Sequence, residues 1–244
     1  MKVIIIAGGR GERLKPLTNT LPKPMISIGD KPILEHVINL FKRNGISDFI
    51  IALCYMPNPI INYFGDGSKF GIKITYTFED PDSPLGTSGG ILPAKELIAD
   101  TFIVTYADIL RNLYLKEMIK LHKKSKGIAT INIYKHTGSN FKSNLKFNED
   151  NTLTKFNELK KSQRLSRGFN WSNGSLYIFE PEIFKYIPKN SKSDFSKDIF
   201  PKLLKMNKKI SVYPSDDYFI DLGTKESLEK ISKDLKLTPS ILDD

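Results

Sequence analysis

The stretch Lys2-Val3-Ile4-Ile5-Ile6-Ala7-Gly8-Gly9-Arg10-Gly11 decides the fold class, because an apolar run ends abruptly in a glycine-rich turn. The mostly β-branched run Lys2–Ile6 is typical of a strand buried on both faces of a parallel sheet. Glycines directly after such a strand permit positive φ and a close approach of ligand to backbone. Exposed amides in such a turn also bind anions. The stretch therefore predicts a buried strand that leads into a ligand-binding loop.

The first half of the chain continues this strand after the long loop Ala7–Lys23. Its predicted elements alternate between strand and helix at short spacing, and such alternation is the signature of a doubly wound, mainly parallel, Rossmann-like α/β sheet. The predicted strands are Asp48–Leu53, Lys73–Phe78, Thr101–Tyr106 and Ala129–Tyr134, and the predicted helices are Pro32–Asn44, Met56–Phe64, Gly89–Leu97 and Leu115–Ser125.

The second half, after Lys135, has a different pattern, with a predicted hairpin around Glu149-Asp150-Asn151. Further elements are predicted as strands over Asn144–Asn148, Leu153–Asn157, Gly174–Phe179 and Ile210–Pro214, a tight segment over Phe219–Gly223, and helices over Pro181–Tyr186, Ser196–Lys205 and Lys225–Leu235. This pattern predicts a small β-rich subregion within one domain, residues 1–237, followed by a frayed tail, 238–244. Residues 1–134 form the first part of that domain and residues 135–237 the second.

The formal charge of the chain, 37 basic against 27 acidic residues or +10, first suggests nucleic-acid binding. Its location argues against that class. Residues 1–114 hold 12 basic and 11 acidic side chains, residues 171–244 hold 12 and 12, and residues 115–170 hold 13 and 4, or +9. Only six of the basic residues are arginine, and no zinc-finger, helix-turn-helix or RNP pattern accompanies them. We interpret the block as a lysine-rich surface.

The glycine-rich loop fits neither of two common phosphate-binding motifs. A Walker A loop needs Gly-Lys-Ser/Thr, which is missing here, and a dinucleotide fingerprint needs a third glycine where Leu14 stands. Glycine pairs alone are usually plain turns. Arg13 and Lys23 make this loop more specific, because two cations on a proline-rich loop suit a triphosphate.

The residues from Gly8 to Glu35 resemble the signature of the sugar-1-phosphate nucleotidyltransferases. The matching parts are Gly8-Gly9-Arg10-Gly11-Glu12-Arg13-Leu14-Lys15-Pro16-Leu17-Thr18, Pro22-Lys23-Pro24-Met25 and Lys31-Pro32-Ile33-Leu34-Glu35. Glu12 departs from the small hydroxyl residue that is more frequent in the family. The resemblance extends to the last helix and implies the nucleotide-diphospho-sugar transferase type of fold. It assigns nucleotide binding to Ala7, Gly8, Gly9, Gly11, Arg13 and Lys23, the last two with a catalytic role.

Two aspartates are candidates for a metal site. Asp108 follows the strand Thr101–Tyr106, at the end of a parallel strand where α/β ligands bind, and Asp221 lies in the tight segment. Each has a structural alternative as a helix N-cap, although Thr224 could cap the helix after Asp221. Mg²⁺ favours a few carboxylates together with water and phosphate oxygens. The resemblance implies that Asp108 and Asp221 hold Mg²⁺ and that Asp108 is catalytic.

The segments for the base and the sugar are less specific. Leu85-Gly86-Thr87-Ser88-Gly89-Gly90 looks most like the guanylyltransferases and their uridylyl relatives, which implies nucleotide contacts at Gly86 and Thr87; alternatively, Thr87 or Ser88 caps a helix. In Phe156-Asn157-Glu158-Leu159-Lys160 the glutamate matches the family pattern, but the lysine is displaced by one position. The resemblance assigns the sugar phosphate to Glu158, Lys160, Asn173 and Gly174, with Lys161 as an alternative to Lys160.

These observations predict an enzyme that converts an NTP and a sugar 1-phosphate into an NDP-sugar and pyrophosphate. GTP is favoured, UTP or CTP is open, and the sugar is of the mannose, heptose or glucose type, as in cell-surface polysaccharide synthesis. A non-catalytic nucleotide-sugar sensor and a metal-dependent glycosyltransferase are the alternatives. The single cysteine, Cys54, excludes an intramolecular disulfide, and no apolar run is long enough for a signal peptide or a membrane span. We expect a cytoplasmic protein with no nucleic-acid or membrane partner, and leave a homodimer open.

Overall fold

The computed structural model describes residues 1–136, 143–158 and 170–242. These residues form two compact units. The first contains Met1–Pro84, Thr105–Tyr114 and the chain from Asp217 onward, and the second contains Leu85–Val104 and Leu115–Asp216.

The described elements alternate between strand and helix over much of the chain. The strands are β1 Val3–Ile6, β2 Ser27–Ile28, β3 Lys31–Pro32, β4 Asp48–Leu53, β5 Lys73–Phe78, β6 Phe102–Tyr106, β7 Ile109–Arg111, β8 Ala129–His136, β9 Ser143–Phe147, β10 Leu153–Glu158, β11 Asn170–Phe179, β12 Ile210–Ser215 and β13 Phe219–Asp221. The α-helices are α1 Ile33–Arg43, α2 Asn58–Phe64, α3 Gly86–Gly89, α4 Leu115–Ser125, α5 Phe200–Lys205 and α6 Lys225–Leu237.

The first unit contains the parallel strands that the opening stretch predicts. Strand β1 pairs in parallel with β4, with Val3 opposite Phe49, and β4 pairs in parallel with β5, with Asp48 opposite Lys73. Val3, Ile4 and Ile5 are fully buried, as expected for a strand covered on both faces. Parallel strands that alternate with helices confirm the predicted α/β class.

A second pairing in the first unit was not predicted from the sequence. Strand β13 runs antiparallel to β7, with Asp221 opposite Ile109. At the end of this pairing the amide of Leu222 donates to the carbonyl of Asp108 at 2.9 Å. The pairing therefore holds the two predicted metal-ligating aspartates on adjacent chain segments.

The second unit is rich in antiparallel pairs. Strands β9 and β10 form the predicted hairpin, β11 pairs antiparallel with β8 and β9, and β12 pairs in parallel with β8. The core of this unit includes four fully buried aromatic rings, Tyr177, Phe179, Phe195 and Phe200. Stacked and edge-on contacts join them, with ring centroids 5.2 Å apart for Phe179 and Phe195.

Four predicted elements differ in the structure. The helix predicted over Pro181–Tyr186 is a 3-10 helix, Pro181–Lys185. The helix predicted over Gly89–Leu97 is instead the short helix α3 and a separate 3-10 helix, Leu92–Leu97, because neighbouring glycines and Pro93 disfavour a continuous α-helix. The helix predicted over Ser196–Lys205 begins as a π-helical turn at Phe195 before α5. The strand predicted from Gly174 begins at Asn170, and its register shifts between Asn173 and Tyr177.

The long loop predicted over Ala7–Lys23 is more ordered than its composition suggests. It contains the 3-10 turn Glu12–Leu14, and a second turn, Lys23–Met25, begins at its end. No helix among the described residues combines the length and the apolar character needed to cross a membrane.

Candidate active site

The glycines after β1 have three different surroundings. A Cβ on Gly8 would lie 2.7 Å from the Cβ of Cys54, and Gly11 has a φ of +64° with its missing Cβ 2.9 Å from a methyl group of Thr18. Packing and backbone geometry therefore require glycine at both positions. No described atom lies within 4 Å of a Cβ placed on Gly9. Gly9 is thus the position where the loop leaves room for another molecule.

The two arginines of this loop have different neighbours. Arg10 donates to the carbonyl of Pro81 at 3.0 Å and lies over the ring of Tyr55 at 5.7 Å. Arg13 belongs to the turn after Gly11, and its guanidinium lies beside Gly223. Arg10 is thus engaged by the Pro81 carbonyl, whereas Arg13, which is predicted to bind the nucleotide, lies beside the segment that contains Asp221.

Lys23 is the buried cation of the loop. Only 7% of this residue is exposed, and its Nζ donates to Oδ2 of Asp108. Pro22 and Pro24 fix the backbone of the turn in which Lys23 begins. A buried lysine is stable only when a carboxylate or an anion pairs with it, so Lys23 and Asp108 depend on each other.

Gly223 brings Arg13 and Asp221 together. A Cβ on Gly223 would lie 2.5 Å from Nη2 of Arg13 and 2.9 Å from Oδ1 of Asp221. The amide of Gly223 donates to that same oxygen at 2.9 Å. Only a residue without a side chain fits between them, and the composition of the segment alone did not single out Gly223.

The alternative reading of Asp221 as a helix cap is wrong. Thr224 caps α6: its hydroxyl accepts the amide of Ser227, and the Ser227 hydroxyl accepts the amide of Thr224 in return. This is the capping-box arrangement. The carboxylate of Asp221 therefore has no capping role at this helix.

Glu35, the last residue of the nucleotidyltransferase-like signature, has a structural role. Glu35 is buried in the first turn of α1 and accepts the hydroxyl of Tyr63 at 2.8 Å. This hydrogen bond raises the pKa of Tyr63. The pair joins α1 to α2, so Glu35 is explained by packing.

The loop predicted to meet the nucleobase lies in the second unit and is closely bonded to residues 193–195. The hydroxyl of Thr87 donates to Oδ2 of Asp194 at 2.7 Å, and the hydroxyls of Ser88 and Ser193 are 2.6 Å apart. Gly86 has a φ of +81°, and its missing Cβ would lie 2.5 Å from the carbonyl oxygen of Ser193. Thr87 and Ser88 lie inside α3, so neither caps the helix as the alternative reading supposed.

Asn173 and Gly174, predicted to line the sugar pocket, lie on β11 in the second unit. The amide nitrogen of the Asn173 side chain donates to the hydroxyls of Tyr177 and Ser196, at 2.8 and 3.0 Å. A Cβ on Gly174 would clash with Oδ1 of Asn132. Both positions therefore have firm structural constraints.

The remaining predicted sugar residues are at the edge of the described chain. Glu158 ends β10, opposite Ser143. Lys160 and its alternative Lys161 lie outside the described residues.

The carboxylates of the first unit fit Mg²⁺ better than a metal whose ligands must all come from the protein. Asp108 and Asp221 lie on the adjacent segments described above. Among residues 1–136, 143–158 and 170–242, no three or more His, Cys, Asp or Glu side chains are grouped closely enough to hold a metal. Mg²⁺ is commonly held by one or two carboxylates together with water and substrate phosphates, so two aspartates suffice.

The family of the chain follows from its whole length. Residues 2–237 match the model of the nucleotidyl transferase family. This chain belongs to that family. The resemblance seen at Gly8–Glu35 is thereby confirmed, and it covers both units.

Two relatives in this family act on sugar 1-phosphates according to their names. The chain is 35% identical over 237 residues to the UTP–glucose-1-phosphate uridylyltransferase of Synechocystis sp., covering 91% of this chain and 60% of that protein. It is 30% identical over 234 residues to the mannose-1-phosphate guanylyltransferase of Mycobacterium tuberculosis, covering 95% of this chain and 64% of that protein. The chain thus spans less than two thirds of the length of these two relatives.

A solved structure of similar length shares the fold. HddC from Yersinia pseudotuberculosis, crystallised in complex with GMP-PN, superimposes with a TM-score of 0.80 at 27% identity. The match covers 96% of this chain and 99% of HddC. The predicted nucleotidyltransferase type of α/β fold is therefore confirmed.

Proposed function

We propose that this nucleotidyl transferase joins an NTP to a sugar 1-phosphate, giving an NDP-sugar and pyrophosphate. The observation that carries the proposal is the convergence of Arg13, Lys23, Asp108 and Asp221 from separate stretches of the first unit. Two cations and two carboxylates next to a glycine-rich loop suit a triphosphate and a metal ion. The names of the two relatives support the same reaction class.

The reaction needs charge stabilisation more than a general base. An oxygen of the sugar phosphate attacks the α-phosphorus of the NTP in line, and the bond from that phosphorus to the pyrophosphate oxygen breaks. The nucleophile is already anionic, so no proton must be removed from it. Arg13 and Lys23 would offset the charge on the α-phosphate and on the leaving pyrophosphate. Amides of Gly8–Gly11, with Gly9 as the open position, would hold the phosphates, whereas the amide of Ala7 already donates to the carbonyl of Ala52 at 2.9 Å.

Asp108 and Asp221 would hold Mg²⁺. When bound, the ion supplies Lewis-acid stabilisation of phosphoryl oxygens. Lys23 holds Asp108 through its Nζ, and the amide of Gly223 holds Asp221. Both carboxylates are therefore oriented by groups of this chain.

The base and sugar contacts would come from the other residues that the family resemblance assigns. Gly86 and Thr87 would border the nucleobase, and Glu158, Lys160, Asn173 and Gly174 would serve the sugar phosphate. GTP is the favoured NTP, supported by the Leu85–Gly90 segment and by the GMP-PN complex of the related HddC. A mannose-, heptose- or glucose-type sugar completes the proposal, with residues 1–237 acting as one functional domain in the cytoplasm.

The two alternative functions have less support. A metal-dependent glycosyltransferase would carry Asp-x-Asp after β6, where this chain has Tyr106-Ala107-Asp108. A nucleotide-sugar sensor would not need both carboxylates beside the loop, and both are present.

A screen of pyrophosphate release tests the proposal. Five NTPs are combined with a panel of sugar 1-phosphates in the presence of Mg²⁺, and each substrate is also omitted in turn. We expect release that requires both substrates, fastest with GTP. No release with any pair would refute the enzyme assignment and favour the sensor.

A further inference from the structure

We propose that Asp194 is a positioning residue that fixes the nucleobase loop, α3, and ties it to Asn173 on the sugar side. The proposal rests on the proposed function, which places Gly86 and Thr87 at the nucleotide and Asn173 at the sugar. No motif in the sequence assigns a role to Asp194. All the contacts that carry the inference lie within the second unit.

The hydroxyl of Thr87 makes two hydrogen bonds to the segment around Asp194. It donates to Oδ2 of Asp194 at 2.7 Å and accepts the amide of Phe195 at 3.2 Å. A hydroxyl has one proton to donate, and here Asp194 takes it. Thr87 therefore anchors the loop through its side chain, and the loop backbone is the part left to meet a nucleotide.

Further contacts hold the loop to the residue before Asp194. The amide of Ser193 donates to the carbonyl of Leu85 at 2.8 Å, and the amide of Ser88 donates to the carbonyl of Ser193 at 3.2 Å. The Ser88 and Ser193 hydroxyls bond to each other in a buried position. Gly86 is so close to Ser193 that a side chain would strike the backbone. The loop can move only if residues 193–195 move with it.

The other carboxylate oxygen of Asp194 faces the sugar side. Oδ1 accepts the amides of Ser196 and Lys197, at 2.8 and 3.2 Å, and so caps the helical turn that begins at Phe195. The hydroxyl of Ser196 then accepts the side-chain amide of Asn173 at 3.0 Å. One carboxylate thus connects the two sides: its Oδ2 bonds to Thr87, and its Oδ1 reaches Asn173 by way of Ser196.

This arrangement predicts a shared effect on both substrates. Loss of the Asp194–Thr87 bond leaves a part-buried hydroxyl proton without its carboxylate acceptor, a change that costs more than an ordinary hydrogen bond. The loop would then sample conformations that do not accept the nucleotide. Because the same residue supports Ser196 and Asn173, the KM for the sugar phosphate should rise together with the KM for the NTP.

The variant Asp194→Asn separates the two links. An asparagine keeps an oxygen to cap Ser196 and Lys197, but its amide nitrogen cannot accept the Thr87 proton. We expect the KM for the NTP to rise about tenfold, a smaller rise for the sugar phosphate and a nearly unchanged kcat, the scale of one lost charged hydrogen bond. Calorimetric titration with the same NTP and Mg²⁺ should show a matching loss of affinity.

Asp150→Asn is the matched control. Asp150 also accepts a threonine hydroxyl and a backbone amide, both from Thr152, but it lies in an exposed turn of the hairpin. It should leave both KM values and the affinity unchanged. Thr87→Val should reproduce the effect of Asp194→Asn, Thr87→Ser should lose much less affinity for the NTP than Thr87→Val because it keeps the hydroxyl, and the double variant Asp194→Asn/Thr87→Val should be no worse than either single variant.

The outcomes separate this inference from the proposed function. If the wild-type protein is active and Asp194→Asn matches Asp150→Asn in KM and in affinity, the inference is overturned and the function stands. If the wild-type protein binds the NTP without releasing pyrophosphate, the function fails, and the affinity of Asp194→Asn alone decides the inference. Absence of any NTP binding overturns both. Should Asp194→Asn not fold, the comparison of Thr87→Val with Thr87→Ser decides.

Discussion

Lys23 donates its ammonium proton to the carboxylate of Asp108 although 85 residues separate them in the chain. The lysine is almost completely buried and the aspartate side chain is 31% exposed. This pair ties the loop after β1 to the end of β6. It also places a positive charge beside a carboxylate that is proposed to hold a metal, so a change at either residue affects both.

Substitution of Lys23 by Met, or of Asp108 by Asn, should lower kcat/KM for pyrophosphate release by at least ~100-fold, the scale of one lost electrostatic stabiliser. The physical reason is that Lys23→Met removes a cation that would offset charge on the phosphates, and Asp108→Asn removes a carboxylate that would hold Mg²⁺. Steady-state kinetics in which each substrate is varied while the other is saturating measures it.

Lys95→Met is the control for that pair of variants. Lys95 pairs with Glu96 at 3.2 Å on the surface, and an exposed pair contributes little, so this variant should keep wild-type kinetics. Near-normal turnover in Lys23→Met or Asp108→Asn would contradict the proposed roles.

Gly223→Ala should lower kcat/KM while leaving the free energy of unfolding nearly unchanged. The added methyl group would lie 2.5 Å from Nη2 of Arg13 and 2.9 Å from Oδ1 of Asp221. The guanidinium end of Arg13 has the closer contact, and it is flexible and can move aside at little cost to the fold. Arg13 would then be displaced from its place beside Asp221. Kinetics and urea denaturation of the same preparation measure the two effects.

The double variant Gly223→Ala/Arg13→Lys identifies the cause of that loss. If Gly223→Ala acts by displacing Arg13, the double variant loses little more than Arg13→Lys alone. Additive losses would show that the methyl group acts elsewhere.

Variants at Asp221 and at Thr224 should have different effects on turnover and on the free energy of unfolding. Thr224→Ala removes the cap of α6 and should lower the free energy of unfolding by ~1 kcal/mol. Asp221→Asn keeps an oxygen that can accept the Gly223 amide, so it should lower that free energy by less than Thr224→Ala does and yet abolish most turnover. Urea denaturation midpoints and pyrophosphate release measure both. A stability loss in Asp221→Asn equal to that of Thr224→Ala would argue for a structural role of the carboxylate.

Protonation of His122 should lower the free energy of unfolding in mild acid. It is buried on α4, its Nε2 lies 3.0 Å from Glu180, and its Nδ1 lies 2.8 Å from the Thr130 hydroxyl. Burial lowers its pKa below the usual 6.5, although Glu180 acts in the opposite direction. As the pH falls, His122 therefore takes up a proton in the unfolded chain before it does so in the folded protein. The stability that neutral His122 contributes is complete above pH 6.5 and is lost as the pH falls through that value toward the pKa of the folded state.

His122→Gln provides the comparison for that pH effect. Glutamine does not titrate in this range, so the variant should show a flatter dependence of unfolding free energy on pH below 6.5. An identical slope in the two proteins would show that another group is responsible.

The sequence alone predicts the structure where a local pattern is typical of a single kind of element. The apolar run before Gly8 predicted β1, and the position of Asp108 directly after a strand predicted a carboxylate at the ligand-binding edge of the sheet, where Lys23 does pair with it. Asp221 was singled out only by the family resemblance, because the antiparallel β13–β7 pair that places it beside Asp108 has no local signal in the sequence.

Other features depend on tertiary contacts that no local pattern announces. Strand β7 has three residues and exists because β13 pairs with it. Asp194 precedes an apolar helix and could have been recognised as an N-cap, but its bond to Thr87, 107 residues away, could not. Gly223 looks like an ordinary turn glycine until Arg13 is seen beside it.

Isotopic labelling of the phosphate oxygens tests the proposed nucleotidyl transfer most directly. A sugar 1-phosphate carrying ¹⁸O in its phosphate group is incubated with the NTP, Mg²⁺ and the enzyme, and the products are analysed by mass spectrometry and ³¹P NMR. If its phosphate oxygen attacks the α-phosphorus, all of the label is retained in the NDP-sugar and the pyrophosphate contains none. Label in the pyrophosphate, or in free phosphate released from the sugar, would contradict nucleotidyl transfer.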